Sequence, residues 1–181
     1  MTTQYYLLVV ADTIVGPGIT TEDQLPPSCI PCTQAQAETW QTLDLAGGVL
    51  QPIPAATLLS SAQAAQAVQL RADCKSAITG GFSSSALGTA NTYPSTLLDQ
   101  HNLAASIVAS LMPNLPSGWT TPYWVMDRTG AWSFTPHTAA QIQQAGLDGK
   151  AWVTTQQEKL TSLLAQVAAA SAVSAVQAIV W

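Results

Sequence analysis

The sequence predicts an α+β fold with three parts: a small β-rich N-terminal unit over residues 1–54, a connecting helix over 55–79, and a helical C-terminal domain over 80–181 that carries one Trp-rich β-hairpin. Aromatic and β-branched residues bounded by Gly and Pro near the N-terminus indicate strands. Apolar residues recur every three or four positions after Pro54, which indicates a helix. Aromatic residues on both sides of the turn-forming segment 127–130 predict the hairpin.

The N-terminal unit begins with a predicted strand over residues 5–15, which ends at the turn-forming sequence Gly-Pro-Gly at 16–18. Thr33 is placed to cap a short helix over 34–43, because its hydroxyl oxygen can accept a hydrogen bond from a free backbone N–H of the first turn. Residues 47–54 are predicted to form a turn and a short strand that ends within this segment. These segments together indicate a hairpin-like pair of strands with one helix.

Two helices are predicted before the hairpin. The connecting helix ends at the pair Gly80 and Gly81, which can supply a left-handed stop. Its buried stripe is predicted to consist of Leu58, Ala62, Ala65, Val68 and Ala72. The second helix is predicted to start after the N-cap Ser95 and to end at Pro113. Its buried side is predicted to consist of Leu98, Ile107, Val108 and Leu111. Residues 82–93, between the two helices, are predicted to be loop or irregular strand.

The hairpin is predicted to pair residues 123–126 with residues 131–134 across a turn at 127–130, whose last residue is a glycine. We expect either Trp124 or Trp132 to face the helices and to join the core. The other tryptophan is then expected on the exposed face.

Two more helices are predicted after the hairpin. Thr138 is placed to cap a short helix that ends near Gly146. Thr155 and Glu158 have the spacing of a capping box, so the final helix is predicted to start there and to continue to the C-terminus.

Composition limits the partners. Charged residues make up 8% of the sequence, against about 25% in a typical soluble protein. Apolar residues make up 48%, and a surface with few charges favours lasting contacts with other chains. The net charge is −5 and the basic residues are scattered, which argues against nucleic acid and an anionic membrane surface. The Ala- and Ser-rich stretch 160–181 predicts a packed helix rather than a membrane span.

Three cysteines and two histidines are the candidates for metal or redox chemistry. Cys29 and Cys32 have the Cys-x-x-Cys spacing of half a zinc site or of a redox pair. A zinc site would need two further ligands from Cys74, His101 and His137, none of which has a partner at ligand spacing. The odd number of cysteines, without a secretory signal, indicates a reducing compartment. We expect Cys29 and Cys32 to be small buried residues in a proline-rich connector, and we expect no metal or other cofactor.

Motifs for catalysis are not found. The sequence has no Gly-rich phosphate loop, no Gly-x-Ser-x-Gly and no pair of carboxylates in a shared motif. His101 and Asp99 are two positions apart on a predicted helix and therefore do not share a face. His137 is interpreted as a residue at the start of a helix. The sequence therefore predicts a protein that is not an enzyme.

Partner-binding residues are expected among the aromatic side chains of the second half, because aromatic residues are enriched at the centres of interfaces. The predicted set consists of Trp119, Trp132, His101 and Trp181. Other tryptophans are expected to be needed for the core of so small a domain.

Three segments in order resemble the motifs of one family. They are CKSAITGGF at 74–82, DQHNL at 99–103, and YWVMDRTGAW at 123–132 followed by HTAAQ at 137–141. Together they resemble an uncharacterised domain common in the tail proteins of tailed bacteriophages, often linked to tail-fibre assembly, over about residues 70–181.

The resemblance implies a phage tail context and supplies no catalytic residue. It implies a protein that binds the tail fibre or another tail protein, as an assembly chaperone or a fibre-attachment part, with self-association as a further option. It implies a place in the host cytoplasm during assembly, or in the virion tail. The alternatives are a permanent structural component of the virion tail and, less favoured, an enzyme that degrades polysaccharide or peptidoglycan.

Overall fold

The computed structural model describes residues 3–181 and divides the chain into two compact units, the first ending at Ala62 and the second starting at Gln63. The predicted α+β class is confirmed, with 46% of the residues in helices and 26% in strands. A helix, α2, was predicted over 55–79 and is found at Ala55–Thr79; the division falls within it. Each unit has its own sheet.

The first unit is a three-stranded antiparallel sheet followed by a small helix and a hairpin. Its elements before α2 are β1 (Gln4–Val10), β2 (Thr13–Thr20), β3 (Cys29–Cys32), α1 (Gln34–Glu38), a 3-10 turn (Trp40–Thr42), β4 (Leu43–Ala46) and β5 (Val49–Pro52). The strand order of the larger sheet is β2-β1-β3. Leu7 of β1 is fully buried and Ala37 of α1 is 8% exposed, so the core lies between the sheet and this helix.

The single strand predicted over residues 5–15 is wrong, because the chain reverses within it. Ala11 and Asp12 have positive φ angles of 46° and 61° and form the two-residue turn between β1 and β2. The Gly-Pro-Gly sequence lies inside β2 instead of forming the turn. A Cβ atom on Gly18 would lie 2.2 Å from Cζ of Tyr6, so glycine is needed there for close approach of the tyrosine ring.

The predicted cap of the first helix is confirmed. The Thr33 hydroxyl accepts a hydrogen bond from the backbone N–H of Gln36, whose side chain in turn accepts one from the backbone N–H of Thr33. This reciprocal arrangement satisfies two of the free N–H groups of the first turn. The helix ends at Glu38, before the predicted end at residue 43, and Trp40 lies in the 3-10 turn that follows.

The second unit contains the rest of α2, a four-stranded antiparallel sheet and three further helices. Its other elements are β6 (Phe82–Ser84), β7 (Asn91–Tyr93), α3 (Leu97–Ser110), β8 (Thr120–Met126), β9 (Trp132–Thr138), α4 (Ala139–Ala169) and α5 (Val173–Gln177). The strand order is β6-β7-β8-β9. The predicted hairpin is thus present, with longer strands than expected, and two short strands extend its sheet.

One aromatic-rich cluster forms the core of the second unit. It consists of Phe82, Tyr93, Leu103, Tyr123, Val125, Ile142 and Ala145. These residues come from all the sheet strands except β9 and from both α3 and α4. One face of the sheet is therefore covered by these two helices.

The stripe predicted for α2 is wrong from Ala65 onwards, whereas Leu58 and Ala62 are half-buried. Val68 is 67% exposed, whereas Leu70 and Cys74 are buried. The inward face carries glutamines that bind backbone carbonyls near the C-terminus. Gln63 Nε2 donates to the carbonyls of Val167 and Ala170, and Gln66 Nε2 donates to that of Ile179. Because these contacts are polar, a search for apolar periodicity selects the wrong face.

The cap and the buried side predicted for α3 also need correction. The N-cap is Thr96 rather than Ser95, and it forms a capping box with Asp99. Leu98, Val108 and Leu111 are exposed by 68%, 58% and 66%, whereas Leu103 and Ser110 are buried. Of the four residues predicted to be buried, Ile107 packs against the core. The helix thus presents an apolar face to solvent.

The two helices predicted after the hairpin are one. Thr138 caps α4 as predicted, but the helix continues past Gly146 and ends at Ala169, and a short break separates it from α5. Thr155 is not a cap; its hydroxyl donates to the carbonyl of Ala151, four residues earlier, as in a helix interior.

Two glycines inside α4 allow close packing rather than ending the helix. A Cβ atom on Gly146 would lie 2.2 Å from Cδ1 of Ile107 in α3. A Cβ atom on Gly149 would lie 2.9 Å from Cζ of Phe82 in β6. The helix can therefore lie directly against its neighbours at both positions. Gly146 thus serves close packing, and for this reason the predicted helix end near this residue is wrong.

Candidate functional site

The two faces of the β8–β9 hairpin differ sharply. Strand side chains alternate between faces, and cross-strand partners share a face. Tyr123, Val125 and His137 point inward and are 5%, 2% and 0% exposed. Their neighbours along the strands point the other way, and Trp124, Trp132 and Phe134 among them are exposed.

The outward side of the hairpin is apolar. Its side chains, here named the open face, are Pro122, Trp124, Met126, Trp132, Phe134 and Pro136. Trp124 and Trp132 are each 40% exposed and Phe134 is 69% exposed. The two indoles are stacked, with ring centroids 6.1 Å apart and planes 10° apart, and the Phe134 ring lies 4.8 Å from that of Trp124. No member of the open face carries a charge.

A groove of about 570 Å³ separates the open face from α3. Asp99, Asn102, Ala105 and Ser106 line it from the helix, and Trp124 and Phe134 are among the residues that line it from the hairpin. The Tyr123 hydroxyl donates to the backbone carbonyl of Asp99 at 2.8 Å, which fixes the helix against the strand. A groove of this size is within the range of ligand-binding clefts.

The exposed side of α3 and the two residues that follow the helix are apolar as well. Leu97, Leu98, Val108, Leu111 and Met112 are between 57% and 68% exposed. His101 is exposed and lies four positions after Leu97 and seven before Val108, so it is on the same helical face. We name these six residues the α3 stripe.

The turn of the hairpin is held together by hydrogen bonds to the Asp127 side chain. Oδ1 of Asp127 accepts hydrogen bonds from the backbone N–H and the hydroxyl of Thr129 and from the backbone N–H of Ala131. These bonds lower the pKa of the Asp127 carboxyl. Gly130 has φ of 86°, which favours glycine. The open face is thus held at the end of a well-defined turn.

His137 is part of the core, contrary to its interpretation as a plain helix-start residue. Its Nε2 lies 2.7 Å from the Tyr93 hydroxyl and its Nδ1 lies 2.8 Å from the Thr135 carbonyl oxygen. A carbonyl can only accept, so Nδ1 carries the hydrogen and Nε2 accepts from the tyrosine. Burial lowers the pKa of His137. Both nitrogens are occupied, so neither is free to act on a substrate.

The four predicted partner-binding residues lie in different places. Trp132 is on the open face and His101 is in the α3 stripe. Trp119 is half-buried and packs against the core. Trp181 is half-buried, with Nζ of Lys159 4.6 Å from its ring centroid.

The expectation that only one of Trp124 and Trp132 is exposed is wrong. Met126 pairs with Trp132 and Trp124 pairs with Phe134, so both indoles lie on the outward side. Sequence reasoning also missed Phe134 and the exposed leucines of α3. The sequence did contain a signal for the exposed aromatic side chains of the hairpin. The length of the turn sets the strand register, and the register determines which positions share a face.

The cysteines do not converge. The expectation that Cys29 and Cys32 are buried in a proline-rich connector is wrong, because both are half-buried and lie in β3, where residues three apart point to opposite faces. Cys74 is buried in the second unit, and its thiol donates to the carbonyl of Gln156. Burial raises the pKa of the Cys32 and Cys74 thiols. Within residues 3–181, no group of three or more His, Cys, Asp or Glu side chains is arranged to hold a metal ion.

The fold and this surface define an α+β domain with an uncovered aromatic sheet face. The chain belongs to the family of domain of unknown function DUF4376, which matches residues 61–180. The sequence motifs at 74–82, 99–103 and 123–141 are therefore correctly assigned to an uncharacterised domain family. The match begins close to the start of the second unit and leaves the first unit outside it.

No curated protein and no solved structure matches the chain. Among the helices described here, none has the length and apolar character needed to cross a membrane.

Proposed function

We propose that this protein is a bacteriophage tail-associated interaction protein that binds the tail fibre through the open face of its hairpin. It acts as a fibre assembly chaperone or as a fibre-attachment part, in the host cytoplasm during assembly. The phage context comes from the resemblance of the motifs at 74–82, 99–103 and 123–141. The observation that carries the binding role is the stacked, exposed pair of Trp124 and Trp132.

The chemistry of the open face supports protein binding. Aromatic residues dominate the energetic centres of interfaces because they bury large areas and lose little side-chain entropy. Two carboxylates beside the open face already have partners: that of Asp99 caps α3 and that of Asp127 binds the turn. An incoming partner therefore removes apolar rings from water without having to desolvate a charge on the open face.

A permanent structural role in the virion tail is the second candidate. The α3 stripe adds a further exposed apolar surface, and obligate interfaces are larger and more apolar than transient ones. Mass spectrometry of purified virions separates the two. A fixed copy number per tail favours the structural role, whereas absence from virions together with misfolded fibre in its absence favours the chaperone.

A polysaccharide- or peptidoglycan-degrading enzyme is a weaker candidate. Glycoside hydrolysis generally needs two carboxyl groups, one on each side of the scissile bond. The groove beside the open face has one carboxylate, that of Asp99, which is engaged in the helix cap. Turnover of host polysaccharide that is lost in both Asp99→Ala and His101→Ala would replace the binding proposal.

Copurification with the fibre protein of the same phage tests the proposal. Phe134→Ser changes a side chain that is 69% exposed on the open face, and Leu147→Ser is a matched control that is 66% exposed on α4. We expect the first to lose the fibre and the second to retain it, with both variants folded by circular dichroism. Retention of the fibre by Phe134→Ser and by Trp132→Ser contradicts binding through the open face.

A further inference from the structure

The first unit has a separate groove, which is apolar and aromatic. Its volume is about 470 Å³, and Tyr5, Ile19, Ala37 and Trp40 are among the residues that line it. The carboxylate-bearing residue of this lining is Glu38, the last residue of α1. Ile19 is 60% exposed, Tyr5 and Trp40 are half-buried, and Ala37 is buried and forms the floor.

The charges of the chain are divided unequally between the two units. All Lys, Arg and His residues of the sequence lie at position 71 or later. The first unit carries five acidic residues, Asp12, Glu22, Asp23, Glu38 and Asp44, and the second unit carries equal numbers of acidic and basic residues. The whole net charge of −5 therefore belongs to the first unit. Glu38 has no Lys, Arg or His side chain of its own unit with which to pair.

We propose that this groove binds a lysine or arginine side chain presented by an extended, basic segment of a partner protein. The aliphatic stem of such a side chain can lie against Ile19 and Ala37. Its cationic group can lie over the Trp40 or Tyr5 ring and next to the Glu38 carboxylate, where both contacts are attractive. The charge of the surrounding unit attracts the same partner from a distance.

The docking uses side chains rather than strand addition. β2 is an edge strand of its sheet and borders the groove. Pro17, which also lines the groove, has no backbone N–H to offer to an added strand. Gln34 donates to Oε1 of Glu38 at 2.9 Å, which orients the carboxylate and leaves Oε2 available. This site lies in the first unit and does not depend on the function proposed for the open face.

Titration of the full-length protein with a fluorescein-labelled peptide tests the proposal. The probe is a nine-residue peptide in which valine alternates with lysine and arginine, and its reference peptide carries glutamine at the basic positions. We expect saturable binding of the basic peptide, weakened about tenfold by Glu38→Gln and by raising the salt to about 1 M, where charge interactions are screened within about 3 Å. The amide NMR signals of Ile19 and Ala37 shift during the titration.

Glu22→Gln is the matched control, because it removes the same charge from the same unit at a position outside the groove. We expect it to leave the affinity within about twofold, because Glu22 does not line the groove and its exposed carboxylate is screened by water and salt. Trp40→Leu is the second variant, and we expect it to weaken binding at least about threefold through loss of the cation–π contact. Absence of binding, equal binding of the glutamine peptide, or equal losses in Glu38→Gln and Glu22→Gln would each overturn the proposal.

Discussion

Tyr93 and His137 are joined by a hydrogen bond of 2.7 Å between the hydroxyl oxygen and Nε2, and both side chains are fully buried. The ring of Tyr93 also stacks on Phe82 and Tyr123, with centroids 5.3 and 6.0 Å away. Burial raises the pKa of Tyr93 to about 12. The core of the second unit therefore depends on a neutral histidine and a neutral tyrosine.

Stability is expected to fall in mild acid because of His137. Its pKa in the folded protein lies below the ordinary value of 6.5, so the unfolded chain takes up the proton first. The contribution of neutral His137 to the free energy of unfolding is complete above pH 6.5. It is lost as the pH falls through the pKa of His137 in the folded protein. Each unit of separation corresponds to about 1.4 kcal/mol in the free energy of unfolding. Urea unfolding between pH 7.5 and about pH 5.5 measures this change.

His137→Gln is expected to remove most of the pH dependence of the free energy of unfolding. It lowers stability at every pH, because the buried Tyr93 hydroxyl loses a good acceptor. His101→Gln is the control, since His101 is exposed on α3 and its replacement leaves the slope in place. A slope that persists in His137→Gln contradicts this assignment.

Gly149→Ala is expected to destabilise the protein more than Gly146→Ala. The added methyl at 149 meets the ring of Phe82, which is held in the buried aromatic stack. The methyl at 146 meets the end of the flexible Ile107 side chain. Overpacking costs about 1–3 kcal/mol, and alanine regains about 1 kcal/mol of helix propensity at either position. Chemical denaturation of both variants gives the comparison, and equal stabilities would argue against close packing at 149.

Gln66→Met is expected to loosen the C-terminal segment after α4. The Gln66 amide donates to the Ile179 carbonyl at 2.6 Å, and methionine has a similar length without a donor. The loss of about 1 kcal/mol corresponds to roughly fivefold faster amide hydrogen exchange in residues 171–181. Gln69→Met is the control, because the Gln69 amide binds Asp73 of its own helix. Identical exchange in the two variants would show that the Gln66 contact is not needed.

Asp127→Ala is expected to loosen the tip of the hairpin. The alanine variant loses the acceptor for three hydrogen bonds within the turn, including that of the Ala131 N–H. Amide exchange at Thr129 and Ala131 should become faster, and binding through the open face should weaken with it. Arg128→Ala, at the exposed tip, is the control and should change neither property.

Much of the fold follows from local sequence signals. Thr33 and Thr138 cap helices as predicted from the sequence, and the turn at 127–130 produces the hairpin. The short strands β6 and β7 are predicted only as loop or irregular strand, because their Ser, Thr and Asn residues have no apolar alternation.

The missed parts of the surface have a different cause. The exposed leucines of α3 have the periodicity of a buried stripe, and only tertiary packing shows that Leu103 faces the core instead. The glutamines of α2 face inward for the same reason, because their partners are backbone carbonyls more than one hundred positions away. Periodicity identifies an amphipathic helix, but it does not state which side the rest of the chain covers.

Pro122 and Pro136 lie opposite each other in the hairpin, and the second of them limits how the edge of the sheet can pair with another molecule. β9 is the outer strand of its sheet, and Pro136 interrupts the row of N–H groups along that edge. A strand of another molecule therefore cannot form hydrogen bonds along the full length of β9. Edge-to-edge pairing of two hairpins is interrupted at Pro136. The open face can thus be exposed next to an edge strand that does not offer a continuous row of N–H donors to a second sheet.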